Sequence, residues 1–363
     1  MTRDRARGAV AVVAGLAAAW IAFDLLVWAY GESPRELARL LFVGTWGTSY
    51  GIGQVLFKAT PLLFAGLAVE LALRAGLFNI GGEGQITVGS LAAGIVGAKL
   101  APTMSPWVGV PITLAVAMAA GAFWAWIPGI LRAMLGVHEV ITTIMLNRLA
   151  DGLVGLAFAI GFAEPGTVRT PPLGHGARIP RLEAWLHVFA GSAVSFAVLV
   201  GIAAAIVVSW WQRRSRVGIE LGQIGKNPEA CEAERIPVKR RLAQAMALSG
   251  GVAALAVSST VLGFKGYYES GIGAGAGFGG IAVALLGRGS AVGIVLAALL
   301  FGTLAQGGLA LNAHVPREMM DLIEGVVILT VAFADARVRS ALVRSVKPAE
   351  PAQAPVPSTR APV

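Results

Sequence analysis

GLFNIGGEGQ, residues Gly76 to Gln85, sets Asn79, Glu83 and Gln85 among glycines between two apolar stretches, each long enough to cross a bilayer. An unsatisfied amide or an ionised carboxylate at membrane depth costs several kcal/mol. Such a segment therefore either lines a cavity or solute route, or folds into a tight turn whose polar groups satisfy its own backbone.

The rest of the chain supports membrane depth. Of 363 residues, 56% are hydrophobic and 13% charged, and the mean hydropathy is +0.72. That is more apolar surface than one soluble core could hide, so the fold class is all-α and polytopic, embedded in lipid. The net charge of +9 reads as a record of orientation against the cytoplasmic leaflet, and no nucleic-acid partner is expected. Cys231 alone excludes an internal disulfide framework, and His138, His175, His187 and His314 lack metal-ligand spacing, so no metal or cofactor is expected.

Arg3, Arg5 and Arg7 precede an apolar run from Gly8 to Tyr30 that exceeds a signal-peptide core and reads as a retained first helix. Further spans are expected at 52–74, 84–100, 107–131, 138–162, 188–211, 242–264, 277–288, 291–311 and 319–336, about ten crossings in all. Both termini then share a side. Placing them in the cytoplasm gathers Arg74, Arg132, Arg213, Arg214, Lys239 and Arg240 there and leaves the outer side fewer bases, among them Arg169, Arg178 and Arg181. The span at 277–288 is short and glycine-preceded, the mark of a broken or re-entrant helix. Residues 32–46 suit an amphipathic helix on the outer surface, and the proline-containing loop 163–186 an external connection. Residues 1–347 form one transmembrane domain with a cytoplasmic loop at 212–241, and 348–363 read as a disordered Pro/Ala-rich tail.

In that loop Asn227 is a helix N-cap, Pro228 a favoured first residue and Glu229 a first-turn acid, followed by Ala230, Cys231, Glu232, Ala233 and Glu234. A helix of about two turns, stopped by Pro237, is expected at the membrane surface. It is either a coupling helix that docks on a cytoplasmic motor or an ordinary capped loop helix.

LFNIGGEGQ (77–85), HEVITTIMLN (138–147), IGKNPEACEAERIPVKR (224–240) and LSGGVAALA (248–256) occur in order at family-like spacing. Together they resemble the permease subunits of bacterial ABC importers, in the branched-chain amino acid and simple-sugar superfamily and its nucleoside-importing branch. The resemblance implies an ABC ATPase subunit, a second permease, an extracytoplasmic substrate-binding protein and a lipid environment in the bacterial inner membrane. It also implies that Asn227 to Glu234 couple to the ATPase. Where the family pattern has a small Ala-Gly-Ile turn, this chain has Glu234, Arg235 and Ile236. Gly225 and Lys226 lead into Asn227 without a phosphate-cradling loop, so ATP hydrolysis is expected on another chain. The GxGxxG of Gly275, Gly277 and Gly280 follows no strand and better suits close packing or a half-helix with cavity-facing amides.

The expected solute path includes Phe78, which could stack on a base, with Asn79, Glu83 and Gln85 as donors and acceptors for nucleobase or ribose edges. At about 100° per residue, Glu139, Thr142, Thr143 and Asn147 share one stripe of a helix, either facing a cavity or bonding to a neighbouring helix. Arg148 falls opposite. It would cost about 2.5–3.5 kcal/mol at a helix centre, and Asp151 is within pairing reach. Glu70 and Arg74 have the spacing of an intrahelical pair. Lys58, Gln306 and Glu324 also fall in or near spans, and Asp24 stands alone in the first. Import of ribose or another simple sugar is the near alternative; an ion-coupled secondary transporter using Glu83 or Asp24 is the distant one.

Overall fold

The computed structural model describes residues 15, 17, 18, 20–100, 104–312, 314–316, 318–323, 325, 326, 329 and 330. The N-terminal arginines, Arg317, Glu324, the far end of the last expected span, and the tail at 348–363 lie outside the described residues. Among those described there is no β-strand, only the isolated bridges Arg169↔Glu269 and Arg181↔Ser195. The chain is an all-α polytopic membrane protein.

The helices are α1 (Trp20–Ala29), α2 (Pro34–Thr45), α3 (Ser49–Arg74), α4 (Gly82–Leu100), α5 (Pro106–Leu135), α6 (Glu139–Ala157, continued by a π-turn at Phe158–Phe162), α7 (Ala197–Arg214), α8 (Arg216–Ile224), α9 (Pro228–Ala233), α10 (Val238–Ala254, leading to a π-turn at Ser258–Lys265), α11 (Ala276–Gly287) and α12 (Ala291–Leu311). Local chemistry fixes their starts. Thr48, Ser215 and Ser290 each accept a backbone N–H three residues on, capping α3, α8 and α12. Pro34, Pro106 and Pro228 occupy first-turn positions where the missing N–H costs nothing.

Five of these are long and apolar enough to cross a bilayer: α3, α5, α6 and α10 with their π extensions, and α12. Helix α10 is buried along most of its length, packed on α5 through small residues, Gly121 and Ala125 on one side and Gly250 and Ala254 on the other. Without a hydrophobic drive between helices in lipid, such close backbone approach supplies the dispersion energy that holds them. Helix α3 is central and touches α10, α11, α12, α7 and α2.

Three elements differ from the sequence expectation. The span at 188–211 begins as a helix only at Ala197, because 187–189 form a 3-10 turn and Ser195 bridges to Arg181. Helix α2 does not merely lie on the surface: Leu37 is fully buried and Leu41 packs against Gly307 of α12. The loop 212–241 holds a second helix, α8, beside the expected α9.

Candidate functional site: a broken-helix junction inside the bundle

The segment 76–85 turns back into the protein after α3 ends. Asn147, eight residues past the start of α6, accepts the Gly84 N–H (2.8 Å) and donates to the Ile80 carbonyl (3.0 Å). Ser249, eleven residues into α10, accepts from Asn79 Nδ2 (2.7 Å) and donates to the Ala68 carbonyl (2.6 Å). Eight to eleven residues correspond to about 12–16 Å of helix, so α4 starts at roughly half the depth of a 30 Å apolar layer.

Helix α11 starts at the same depth. Its 12 residues reach about 18 Å, too short to span. Gly271, Gly273 and Gly275 precede it with φ of +84°, +82° and +86°, conformations that disfavour a Cβ, and they let the chain re-enter and restart as a helix. The expectation of a broken helix at 277–288 matches this half-helix. The two N-termini meet on Glu83, whose carboxylate accepts the N–H groups of Gly275 (2.7 Å) and Gly277 (3.0 Å). Anion capture by orphan amides at the positive end of a helix is the expected chemistry. It requires close contact: a Cβ on Gly277 would overlap the Glu83 backbone nitrogen, and one on Gly82 would lie 3.2 Å from Gly277 Cα.

The seven expected path residues converge here. Asn79 and Gln85 are each 1% exposed. They exchange side-chain hydrogen bonds at 3.0 Å, and Asn79 Oδ1 also accepts from Gly81. Glu139, also buried, accepts the Phe78 N–H (3.2 Å) and pairs with Arg132 (3.3 Å). Thr143 packs on Gly81 and donates to the Glu139 carbonyl (2.7 Å). In this conformation Asn79, Gln85, Thr143 and Asn147 therefore bond protein groups, whereas Phe78 and Glu83 keep partial exposure. Arg74 directs its guanidinium to the Gln212 carbonyl (3.2 Å).

Sequence reading fixed no orientation for Lys58, and it missed the cavity that Lys58 lines. This cavity of about 580 Å³ lies between α3, the end of α10, α12 and the re-entrant segment, with Thr260, Lys265, Phe301, Asp321 and residues 273–276 in its wall. Its volume admits a drug-sized solute. The signal that could have found it was the glycine spacing at 271–275, which leaves backbone polar groups needing partners.

In the loop 212–241 the cap is as expected: Asn227 Oδ1 accepts from Ala230 N at 3.0 Å. Cys231 is buried with Ile224 of α8 and Val238 of α10, and the other α9 residues are exposed. The departure at Glu234 to Ile236 does not prevent the turn. Arg235 adopts φ +60°, and Ile236 N reaches back to the Cys231 carbonyl (2.9 Å), a Schellman closure. A left-handed arginine is strained relative to glycine, so Arg235→Gly is expected to stabilise the loop by about 1 kcal/mol. Slower proteolysis of the 226–240 segment in purified protein would show it, and unchanged or faster cleavage would contradict it. Helix α8 is anchored by buried Glu220, which binds Arg241 and Arg216. Those guanidinium bonds, Arg241 first, hold its carboxyl below the usual carboxylate range.

The chain matches the family described as branched-chain amino acid transport system / permease component over residues 51–332. It is 37% identical over 328 residues to the guanosine ABC transporter permease protein NupP of Bacillus subtilis, covering 89% of this chain and 91% of that one. Similarity extends to the glucose ABC transporter permease protein TsgB13 of Haloferax volcanii, 34% over 88% and 84% of the two chains. The nucleoside ABC transporter permease protein NupB of Lactococcus lactis is 31% identical over 85% and 86%. No solved structure gives a significant match. The half-helix junction, the apolar bundle and these alignments agree: the chain belongs to the branched-chain amino acid transport system permease family, the multi-pass membrane subunits of ABC transporters that work with ATPase and substrate-binding partners.

Proposed function

We propose that this permease carries nucleosides inward through the inner membrane, with a separate ATPase supplying the work and an extracytoplasmic binding protein delivering the solute. The observation that carries the reading is the meeting of two helix N-termini on Glu83 at half-depth, beside a cavity large enough for such a solute. Broken helices of this kind give a fixed site around which the two sides of a transporter rock. The names of NupP and NupB supply the solute class. Phe78, Asn79, Glu83, Gln85, Glu139, Thr143 and Asn147 form the path's inner hinge. Phe78 and Glu83 approach solute, and the others keep the break between α3 and α4 in shape. Asn227 to Glu234 form the coupling knob, seated by Cys231 and facing the ATPase with its exposed residues. The second permease is a different chain, both termini are cytoplasmic, and 1–347 is the transmembrane domain.

Glucose transport is the second reading, favoured by the likeness to TsgB13. The test is ATP-driven uptake by the reconstituted full transporter, with unlabelled nucleosides, bases, ribose and glucose as competitors. Competition by nucleosides at least tenfold stronger than by glucose is expected. The reverse order would overturn the nucleoside assignment, and uptake with no ATPase present would overturn the importer reading.

A further inference from the structure

Two irregularities in the helices converge on one ring. Pro61 lies inside α3 and has no N–H, so the Phe57 carbonyl one turn earlier lacks its helical donor. The Ser259 hydroxyl takes that place, donating to the Phe57 carbonyl at 3.4 Å. Ser259 belongs to the π-turn Ser258–Lys265, a wide turn of the kind common at functional sites. The same turn brings Phe264 against Phe57, with ring centroids 5.0 Å apart and planes tilted by 56°. A proline that frees an acceptor and a π-turn that returns a donor thus hold α3 to the end of α10 where two phenyl rings meet.

Phe264 is engaged from another direction as well. The Arg181 guanidinium stands over its ring, 5.3 Å from the centroid, and donates to its carbonyl at 3.2 Å. Arg181, Phe264 and Phe57 form a row, and among the described residues no further ring or cation stands against Phe57. Phe57 keeps partial exposure and lines the cavity together with Lys58, Thr260, Phe301 and Asp321. Gly275, whose N–H binds Glu83, is in the same wall, whereas Phe78, the ring expected to stack on a base, is not. Interacting rings keep centroids about 4.5–7 Å apart, so the pair at 5.0 Å has no room for a third ring between its members. A flat solute can only extend the row, on the side of Phe57. Ring surface left open to a cavity that charged groups also line is unfavourable, and a flat apolar face that covers it recovers that energy.

We infer that Phe57 is the base-stacking residue of this cavity and sets the permease's own preference for nucleosides over free sugars. This rests on the nucleoside reading above and names the group that carries it out. Every nucleobase has a π-face, whereas ribose and glucose offer only C–H edges between hydroxyls. Stacking takes no account of the hydrogen-bonding edges of a base, so purine and pyrimidine nucleosides are both accepted. The same wall offers Lys58, Thr260 and Asp321 to the ribose hydroxyls. The permease thereby sorts solutes after the binding protein has released them. Pro61, Ser259 and Phe264 are positioning residues for the ring.

The test is photoaffinity labelling of the complete transporter in membrane vesicles with azidoguanosine, the adduct on this chain being mapped by mass spectrometry. It is expected in α3 or in the π-turn that ends α10. Excess guanosine or uridine should each suppress it at least tenfold, and the same concentration of ribose or glucose less than twofold. Phe57→Leu is expected to lower the labelling about tenfold, the size of one lost stack, and Phe57→Tyr to keep most of it. A ring that only packs against Phe264 would give no such difference between bases and sugars. An adduct elsewhere on this chain, or none, would overturn the inference, as would suppression by ribose equal to that by guanosine, or undiminished labelling of Phe57→Leu. Should Phe57→Leu fail to insert, the adduct on the native chain and its competition decide. A native transporter that takes up no nucleoside with ATP sinks the solute reading itself; uptake with the adduct elsewhere removes only the stacking role.

Discussion

Gly277→Val is expected to abolish transport and to lower the amount of folded permease in the membrane. The first atom of any side chain at this position would overlap the Glu83 backbone nitrogen and the adjacent Gly82 carbonyl carbon's neighbourhood. Both neighbours are main chain at the first turn of α4, so neither can swing aside. Overpacking typically costs about 1–3 kcal/mol when side chains can adjust; with only backbone to move, the upper end or more is expected. The two N–H bonds to Glu83 would part at the same time, leaving a half-buried carboxylate without its donors. Gly279→Ala is the control, since its Cβ would meet only the end of the flexible Leu62 side chain, and it should keep most activity. Membrane-inserted yield and uptake are the two measurements. Wild-type uptake by Gly277→Val would show that α4 and α11 are not held together at this point.

The second large effect concerns α9. Ala230→Pro removes the N–H that Asn227 Oδ1 accepts at 3.0 Å, in a helix of only 6 residues that has few bonds to lose. Loss of an N-cap alone costs about 0.5–2 kcal/mol, and isolated helices this short have no reserve of their own. The knob should unravel while the bundle stays intact, because Cys231 is its only buried residue. ATP-driven uptake is then expected to fall to background and the ATPase to stop co-purifying, with the permease still inserted. Asn227→Ala should give a milder form of the same defect. Retention of full ATP-driven uptake by Ala230→Pro would remove the coupling role from this helix.

Much of this was legible in the chain before folding. Apolar runs near 20 residues and low charge dictate membrane helices, because lipid offers backbone groups no other partner. The Asn227-Pro228-Glu229 start of α9 was legible because capping is chemistry among neighbours in sequence. The half-helix at 276–287 was legible from its length and its preceding glycines. The polar residues of 79–85 were legible as a site but not in their roles. Whether an amide meets solute or another amide depends on Ser249, which is 170 residues from Asn79. Among the described residues no ion pair within 4 Å joins Arg148 to Asp151 on α6, where the sequence expectation paired them, because i,i+3 spacing does not fix side-chain direction.

By itself, then, the sequence determined the class of solvent, the helices and the short capped knob, since each follows from hydropathy or from bonds made within a few residues. Only the tertiary structure decided that α4 and α11 begin at one depth, that Glu83 joins them, and that Asn79, Gln85 and Asn147 lock the break. Those facts depend on contacts between segments far apart in the chain, where the geometry of packing, and no local rule, selects the partner.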